Sequence, residues 1–319
     1  MALKNIYNCM SYAAGNLQST VPSNTVLQML PMTYLSSGWY TDPNNSGTST
    51  VSLTDTQNLA DALAAQPLVL DFEPWLDNLL TVDGGGNPVL ASEQVRLLNS
   101  QKIADVYRII ASRPNGAAAL AQGFCFYASL IGGYVDANPQ SWHTAYRIFH
   151  NSALKTPYPF APQGISALAT KQVVSLYRLT SDVPTQIANM RGVVQEARRT
   201  YPNQTIAGFF FPRNAGSYNV TKDRFDFMPH DIFMQLFSVA YEICDEIIMW
   251  DANIYGAAGT PCNYRDSNGY ARASTTAPTG TGTGITCAQG TGSYVPASWD
   301  STLPWYTAYK EFIRSLPTS

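Results

Sequence analysis

Charge is scarce in this chain: Asp, Glu, Lys and Arg make up 13% of its 319 residues and leave a net charge of −3. Such a surface has no basic field to draw in nucleic acid or an anionic membrane, so a polyanionic ligand would have to be met by individual arginines. Histidine is rarer still, with three in the whole chain. His143, His150 and His230 are scattered singly, which reads as surface or helix-end positions rather than catalysis. There is no Cys-x-x-Cys pair and no His cluster, so neither a structural zinc nor a redox dithiol is expected, and no cofactor is implied. A Gly-rich phosphate loop is missing after the first strand-like run, which argues against a nucleotide-binding doubly wound sheet. The absence of a Gly-x-Ser-x-Gly elbow disfavours an esterase. The longest apolar runs, near residues 26–35 and 243–250, fall far short of a bilayer span. Residues 1–15 carry Asn5, Asn8 and Cys9 among their apolar positions and are not expected to act as a secretory signal.

What the chain does have is apolar bulk. At 45% apolar residues and 12% aromatic ones, it is long enough for one large barrel or two ordinary domains with a sizeable core. Of its five cysteines, Cys262 and Cys287 flank a Gly/Thr-rich stretch and form the plausible disulfide pair, whereas Cys125 and Cys244 sit in apolar surroundings as core thiols. Abundant Tyr, Asn, Thr and Gly with little Lys lean toward a secreted or virion-associated protein. Nothing in the composition sets an oligomeric state.

Strand-like apolar runs occur at 26–34, 68–73, 123–127, 173–177, 206–211 and 246–250, and 6–12 supplies a further candidate. Helical patterns lie between them. Thr54-x-x-Gln57 has the form of a capping box for a helix ending near Ala65. Ser92 is placed to cap a longer helix through Ser112, with Val95, Leu98, Val106, Ile109 and Ile110 as its apolar stripe and Pro114 as its stop. Ile187, Met190, Val194 and Ala197 mark another helix, as do Ile232, Leu236, Val239 and Ile243, and Trp305, Tyr309 and Ile313 mark a closing one. Strand alternating with helix indicates an α/β protein with a parallel sheet, and a TIM-like (β/α) barrel, short of eight strands or distorted, is the expected fold. The expectation for residues 1–319 is a single barrel domain. It carries an excursion near 132–162, where Trp142, Tyr146 and Phe149 equally fit a short packed helix. A Gly/Thr-rich loop at 256–296 is too long to be a simple connection.

In such a barrel the active site lies at the carboxyl ends of the strands, where this sequence puts Tyr34, Glu73 with Trp75, Tyr127, Tyr177 with Arg178, Arg213, and Trp250 with Asp251. The most informative of these ends is Asp71-Phe72-Glu73-Pro74-Trp75, which closes the apolar run Leu68-Val69-Leu70. Residues two apart on a strand share a face, so Asp71 and Glu73 project together, their Cα atoms roughly 6.6 Å apart, while Phe72 points the other way. Two carboxylates so close cannot both ionise freely. One pKa must rise, and a Glu kept protonated near neutrality is the acid that glycosidic bond cleavage requires. The same pair also fits a helix cap or a partner for Arg. Arg213, following Phe209-Phe210-Phe211-Pro212, is placed either to bind a substrate carboxylate bidentately or to pair with Asp71 or Asp251.

These residues resemble the hyaluronidase-type glycoside hydrolases, barrel enzymes that cleave polymers containing N-acetylhexosamine. The family hallmark is Asp-aromatic-Glu-x-Trp at a strand end, matched by residues 71–75 except that Pro74 stands where an acidic residue is usual. In order behind it, Gly123-Phe124-Cys125-Phe126-Tyr127 looks like the family's next aromatic strand. Val174-Ser175-Leu176-Tyr177 looks like its tyrosine-ended strand, and Ile247-Ile248-Met249-Trp250 like its tryptophan-ended last strand. The helix from Met190 to Arg198 is similar to its Arg-x-x-x-x-x-Ala segment. The resemblance covers 68–251 and lacks the family's usual cysteine pairs.

It implies a retaining, substrate-assisted mechanism without cofactor or metal, an exception to the scheme of two enzyme carboxylates. Glu73 would be acid and then base, and Asp71 would orient the substrate acetamido group that acts as nucleophile. Tyr177 and Trp250 would wall the acetamido pocket, with Tyr127, Trp75, Arg213 and Asp251 as further contacts to an oligo- or polysaccharide. Two alternatives stand beside it: a muramidase-type lysozyme, whose barrels also carry an Asp-x-Glu strand, and a non-catalytic carbohydrate-binding or structural protein on the same scaffold.

Overall fold

The computed structural model describes residues 4–10, 30–31, 33–36, 51–63, 66–72, 75–76, 78–122, 125–127, 148–214, 227–251, 263–265, 271–273 and 304–316. Its centre is a parallel sheet. Strands β1 (Ile6–Met10), β2 (Leu30–Pro31), β3 (Thr33–Ser36), β4 (Leu68–Asp71), β7 (Cys125–Tyr127), β8 (Lys171–Ser175), β9 (Thr205–Phe210) and β10 (Glu246–Asp251) are ordered β2-β1-β10-β9-β8-β7-β4-β3, every neighbouring pair parallel. Apart from it, β5 (Leu80–Val82) and β6 (Pro88–Leu90) form an antiparallel hairpin. The two strands at the ends of the parallel sheet, β2 and β3, are separated in the chain only by Met32. Every strand-like run read from the sequence contributes to this sheet.

Period two along these strands divides the core. Tyr7, Val69, Val173, Ala207, Phe209 and Ile248 pack with one another on one face, joined by Cys9, Tyr177 and Trp250. Their alternates face the helices. Around β8, β9 and β10, Val174, Ile206, Phe210, Ile247 and Met249 pack under α4 (Val183–Thr200), α5 (His230–Ile243) and the closing α6 (Pro304–Ser315). Around β4, Leu68, Leu70 and Phe72 pack under α2 (Glu93–Ala111) and α3 (Pro114–Ala121), beside α1 (Leu53–Ala62). Gly208 lets α5 come close to β9, because a Cβ there would stand 2.5 Å from Leu176 Cδ1 and 2.9 Å from Cys244 Sγ. Cys244 is the expected core thiol, and burial pushes it up to about 12. At the amino ends of the strands, Lys171 Nζ lies 2.5 Å from Glu246 Oε2 and 3.3 Å from the Tyr7 hydroxyl, a polar floor with little access to water.

Several local expectations shift. The cap of α1 is Ser52, not Thr54: its hydroxyl accepts from Asp55 N at 3.3 Å, while Thr56 donates its hydroxyl to Ser52 O at 2.7 Å. Ser92 caps α2 as expected, accepting from Val95 N at 3.4 Å. The stripe of α2 is not continuous, however. Val95 and Leu98 are 39% and 50% exposed, and of the stripe only Val106, Ile109 and Ile110 are buried. Pro114 stops α2 by opening another helix: it is the first residue of α3, where its missing N–H costs nothing.

A π-helical turn, Ile148–Leu154, and the residues after it bury Ala153, Leu154, Tyr158 and Ala161 in the core beneath β4, while Trp142 and Tyr146 lie outside the described residues. Within 256–296 there is a short antiparallel ladder, Asn263–Arg265 with Ala271–Ala273, and Cys262 and Cys287 lie outside the described residues. Among the described residues no helix is long and apolar enough to cross a membrane.

Candidate active site

The apolar run 68–70 is buried outright, so β4 is held on both faces and delivers its last residue at a fixed height. Asp71 follows Val69 on the inner face, is 6% exposed, and stands in register with Ser36 of β3 and Tyr127 of β7. Phe72 takes the opposite face, as alternation requires. Glu73, two residues beyond Asp71, lies outside the described residues. The backbone of Tyr127 is thereby set beside Asp71.

Trp75 is not at the mouth. After Phe72 the chain turns back, with Trp75 N and Leu76 N both donating to Phe72 O at 2.9 Å. This carries Trp75 under the outer face of β4. It is 0% exposed, stacked on Phe72 with ring centroids 5.7 Å apart, and Lys102 Nζ sits 5.7 Å from its ring. A Trp so enclosed has no face for a sugar ring, and its expected role as a substrate contact is corrected to core packing.

Three neighbouring strands bring the other aromatic residues together. Tyr177 beyond β8 and Trp250 on β10 stack with centroids 5.9 Å apart and planes 15° from parallel. Phe211 fills the space beside both, at 5.4 Å from Tyr177 and 5.2 Å from Trp250, and Phe209 lies one step deeper against the same pair. Tyr177 and Trp250 are half-buried, unlike the buried phenylalanines behind them. Quadrupole-matched stacking of this kind adds about 0.5–1.5 kcal/mol per pair beyond area burial and holds the rings as one wall. Cys9, in register with Trp250 on β1, extends the same inner face.

Arg213 and Asp251 pair with each other. Arg213 Nε donates to Asp251 Oδ2 at 2.7 Å, and the two side chains are 3% and 0% exposed. The Arg213 guanidinium also lies 3.8 Å from the centroid of the Phe227 ring. Burial without a partner would leave either charge severely destabilised, so of the readings open to Arg213 the ion pair with Asp251 is the one realised. Both residues, expected as substrate contacts, face each other in the structure.

Sequence reasoning named Arg178, Arg213 and Asp251 at these strand ends but missed Asn214 and Gln186, which help tie the ends together. Arg178 donates to Asn214 Oδ1 from Nη1 and to Ser181 O at 3.3 Å from Nη2. Gln186 of α4 donates to Tyr177 O at 2.9 Å and accepts from Leu179 N at 3.0 Å. The available signal was positional: each of Arg178, Arg213 and Asp251 follows an aromatic strand end, where a polar group must find a buried partner. Among the described residues no group of three or more His, Cys, Asp or Glu could hold a metal ion.

Comparison with known proteins gives no matching family model and no matching curated sequence. Among solved structures, the chain is similar to bee venom hyaluronidase in complex with a hyaluronic acid tetramer, with a TM-score of 0.43 and 13% identity over 78% of this chain and 90% of that one. It is also similar to a monoclinic crystal structure of bee venom hyaluronidase, with a TM-score of 0.48 and 10% identity over 78% of this chain and 91% of that one. The likeness is remote.

Proposed function

We propose that the chain is a glycoside hydrolase that cleaves an N-acetylhexosamine-containing polysaccharide with retention of configuration, on one (β/α)-barrel domain in which the segment 30–36 bridges β1 and β4. The observation that carries this reading is the company kept by the Asp71-x-Glu73 strand end. Asp71 is held on the inner face at the end of β4, and the half-buried Tyr177 and Trp250 form a stacked wall on the same face at the ends of β8 and β10. In this reading Glu73 protonates the departing glycosidic oxygen while the substrate's acetamido oxygen attacks the anomeric carbon. Asp71 orients the acetamido N–H and stabilises the positive charge that develops on it. Tyr177 and Trp250 pack the acetamido methyl, and Tyr127 stands level with Asp71. Glu73 then takes a proton from the water that opens the cyclised intermediate.

A second reading, a carbohydrate-binding or structural protein without turnover, is favoured by two observations: Trp75 is enclosed in the core and Arg213 is committed to Asp251. The experiment that separates the two is reducing-end release from hyaluronan, chondroitin, chitin oligosaccharides and peptidoglycan by the protein and its Glu73→Gln variant. Activity on one of these polymers that disappears in Glu73→Gln supports the hydrolase. Saccharide binding without turnover in either protein supports the second reading.

A further inference from the structure

We propose that Arg213 and Asp251, extended by Arg178 and Asn214, are positioning residues that set the aromatic wall of the candidate site; the inference rests on the reading of that wall given above. Each lies next to or shortly after a member of the wall or its backing: Arg178 follows Tyr177, Arg213 and Asn214 follow Phe211-Pro212, and Asp251 follows Trp250. The polar contacts run crosswise between neighbouring strand ends. Arg178 joins the end of β8 to the end of β9 through Asn214, where the two backbones also form a parallel bridge. Arg213 joins the end of β9 to the last residue of β10 through Asp251. The backbone of Arg213 bridges Phe227, Met228 N donates to Pro212 O at 3.0 Å, and the guanidinium lies over the Phe227 ring. Gln186 pins the backbone on both sides of Arg178.

Stability alone is a poor reason for this arrangement. A buried ion pair is often matched or exceeded in stability by apolar residues of similar volume, because desolvation of two charges offsets most of their attraction. What apolar residues cannot supply is direction. A guanidinium held between a carboxylate and an aromatic face has one allowed orientation, which fixes the relative height of β9 and β10 and hence of Phe211 and Trp250. Displacement of a substrate-contacting group by about 1 Å can cost on the order of a hundredfold in rate.

The test is the apolar double variant Arg213→Met/Asp251→Leu, with Arg178→Met/Asn214→Leu as an independent second, each measured by far-UV and near-UV circular dichroism and by kcat and KM on the polymer cleaved by wild type. Stacked Tyr and Trp rings give a near-UV signal that depends on their geometry. The expected result is a folded protein with unchanged far-UV signal, an altered near-UV signal and a kcat lowered about a hundredfold with KM little changed. Folded double variants that keep the wild-type near-UV signal and kcat would overturn the proposal. So would failure of both to fold, which would make the pairs elements of stability. If wild type cleaves nothing, the proposed hydrolase fails by itself, and the near-UV comparison still decides whether the pairs set the wall.

Discussion

Asp71 and Trp75 are four residues apart, and the first was far more legible than the second. Strand alternation alone places Asp71 inward and Phe72 outward, because the period of two leaves no choice once Leu68 and Leu70 are buried against helices. Trp75 lies past the end of the strand, where the local turn decides direction, and two hydrogen bonds to Phe72 O that no residue pattern announces swing it into the core. The consequence is testable. Trp75→Ala should lose about 3–5 kcal/mol of stability, because a large fully buried ring leaves a cavity that its neighbours cannot close. Trp75→Phe should unfold at lower urea than wild type yet bind saccharides with unchanged affinity. A loss of saccharide affinity in folded Trp75→Phe would return Trp75 to the site.

At the scale of elements, helices were read well where capping and apolar spacing agree, and less well where either stood alone. Ser92 and the closing helix follow from pattern; the cap of α1 does not, since Ser52 and Thr54 are both suitable residues and only packing selects Ser52. The amino half of α2 shows the limit of periodicity, for Val95 and Leu98 have the spacing of a buried face but no partner layer over them among the described residues.

Helix α4 offers a prediction with a definite sign. Asp182 caps it, accepting from Thr185 N at 2.9 Å, and hydrogen bonds from the Thr185 hydroxyl and N–H hold its carboxyl below the ordinary value of 3.8. A carboxyl whose folded pKa is depressed contributes fully above its unfolded pKa, and the contribution is lost as pH falls through the folded value. Asp182→Ala should therefore be less stable than wild type from neutrality down to the ordinary carboxylate value, with the difference closing at lower pH. Urea midpoints measured across that range check it, and a difference that stayed constant into strong acid would contradict the assignment.

For the molecule as a whole, the alternation of strand and helix announced a parallel sheet, and the sheet runs through every expected segment. Less visible was how segment 30–36 is divided. One run of apolar residues gives no sign that its first residues pair with β1 and its last with β4, because that depends on the twist accumulated across all the other strands. The tie between Arg178 and Asn214 was hidden for the same reason, as the two are 36 residues apart and meet only once β8 and β9 lie side by side. The central claim, that this sheet presents Asp71 and Glu73 to an N-acetylhexosamine whose own acetamido group attacks, is tested most directly by following the anomeric proton of the first-formed product by NMR. Product released with the configuration of the substrate bond is the expected result. Product of inverted configuration, or no product from any N-acetylhexosamine polymer, would contradict the account.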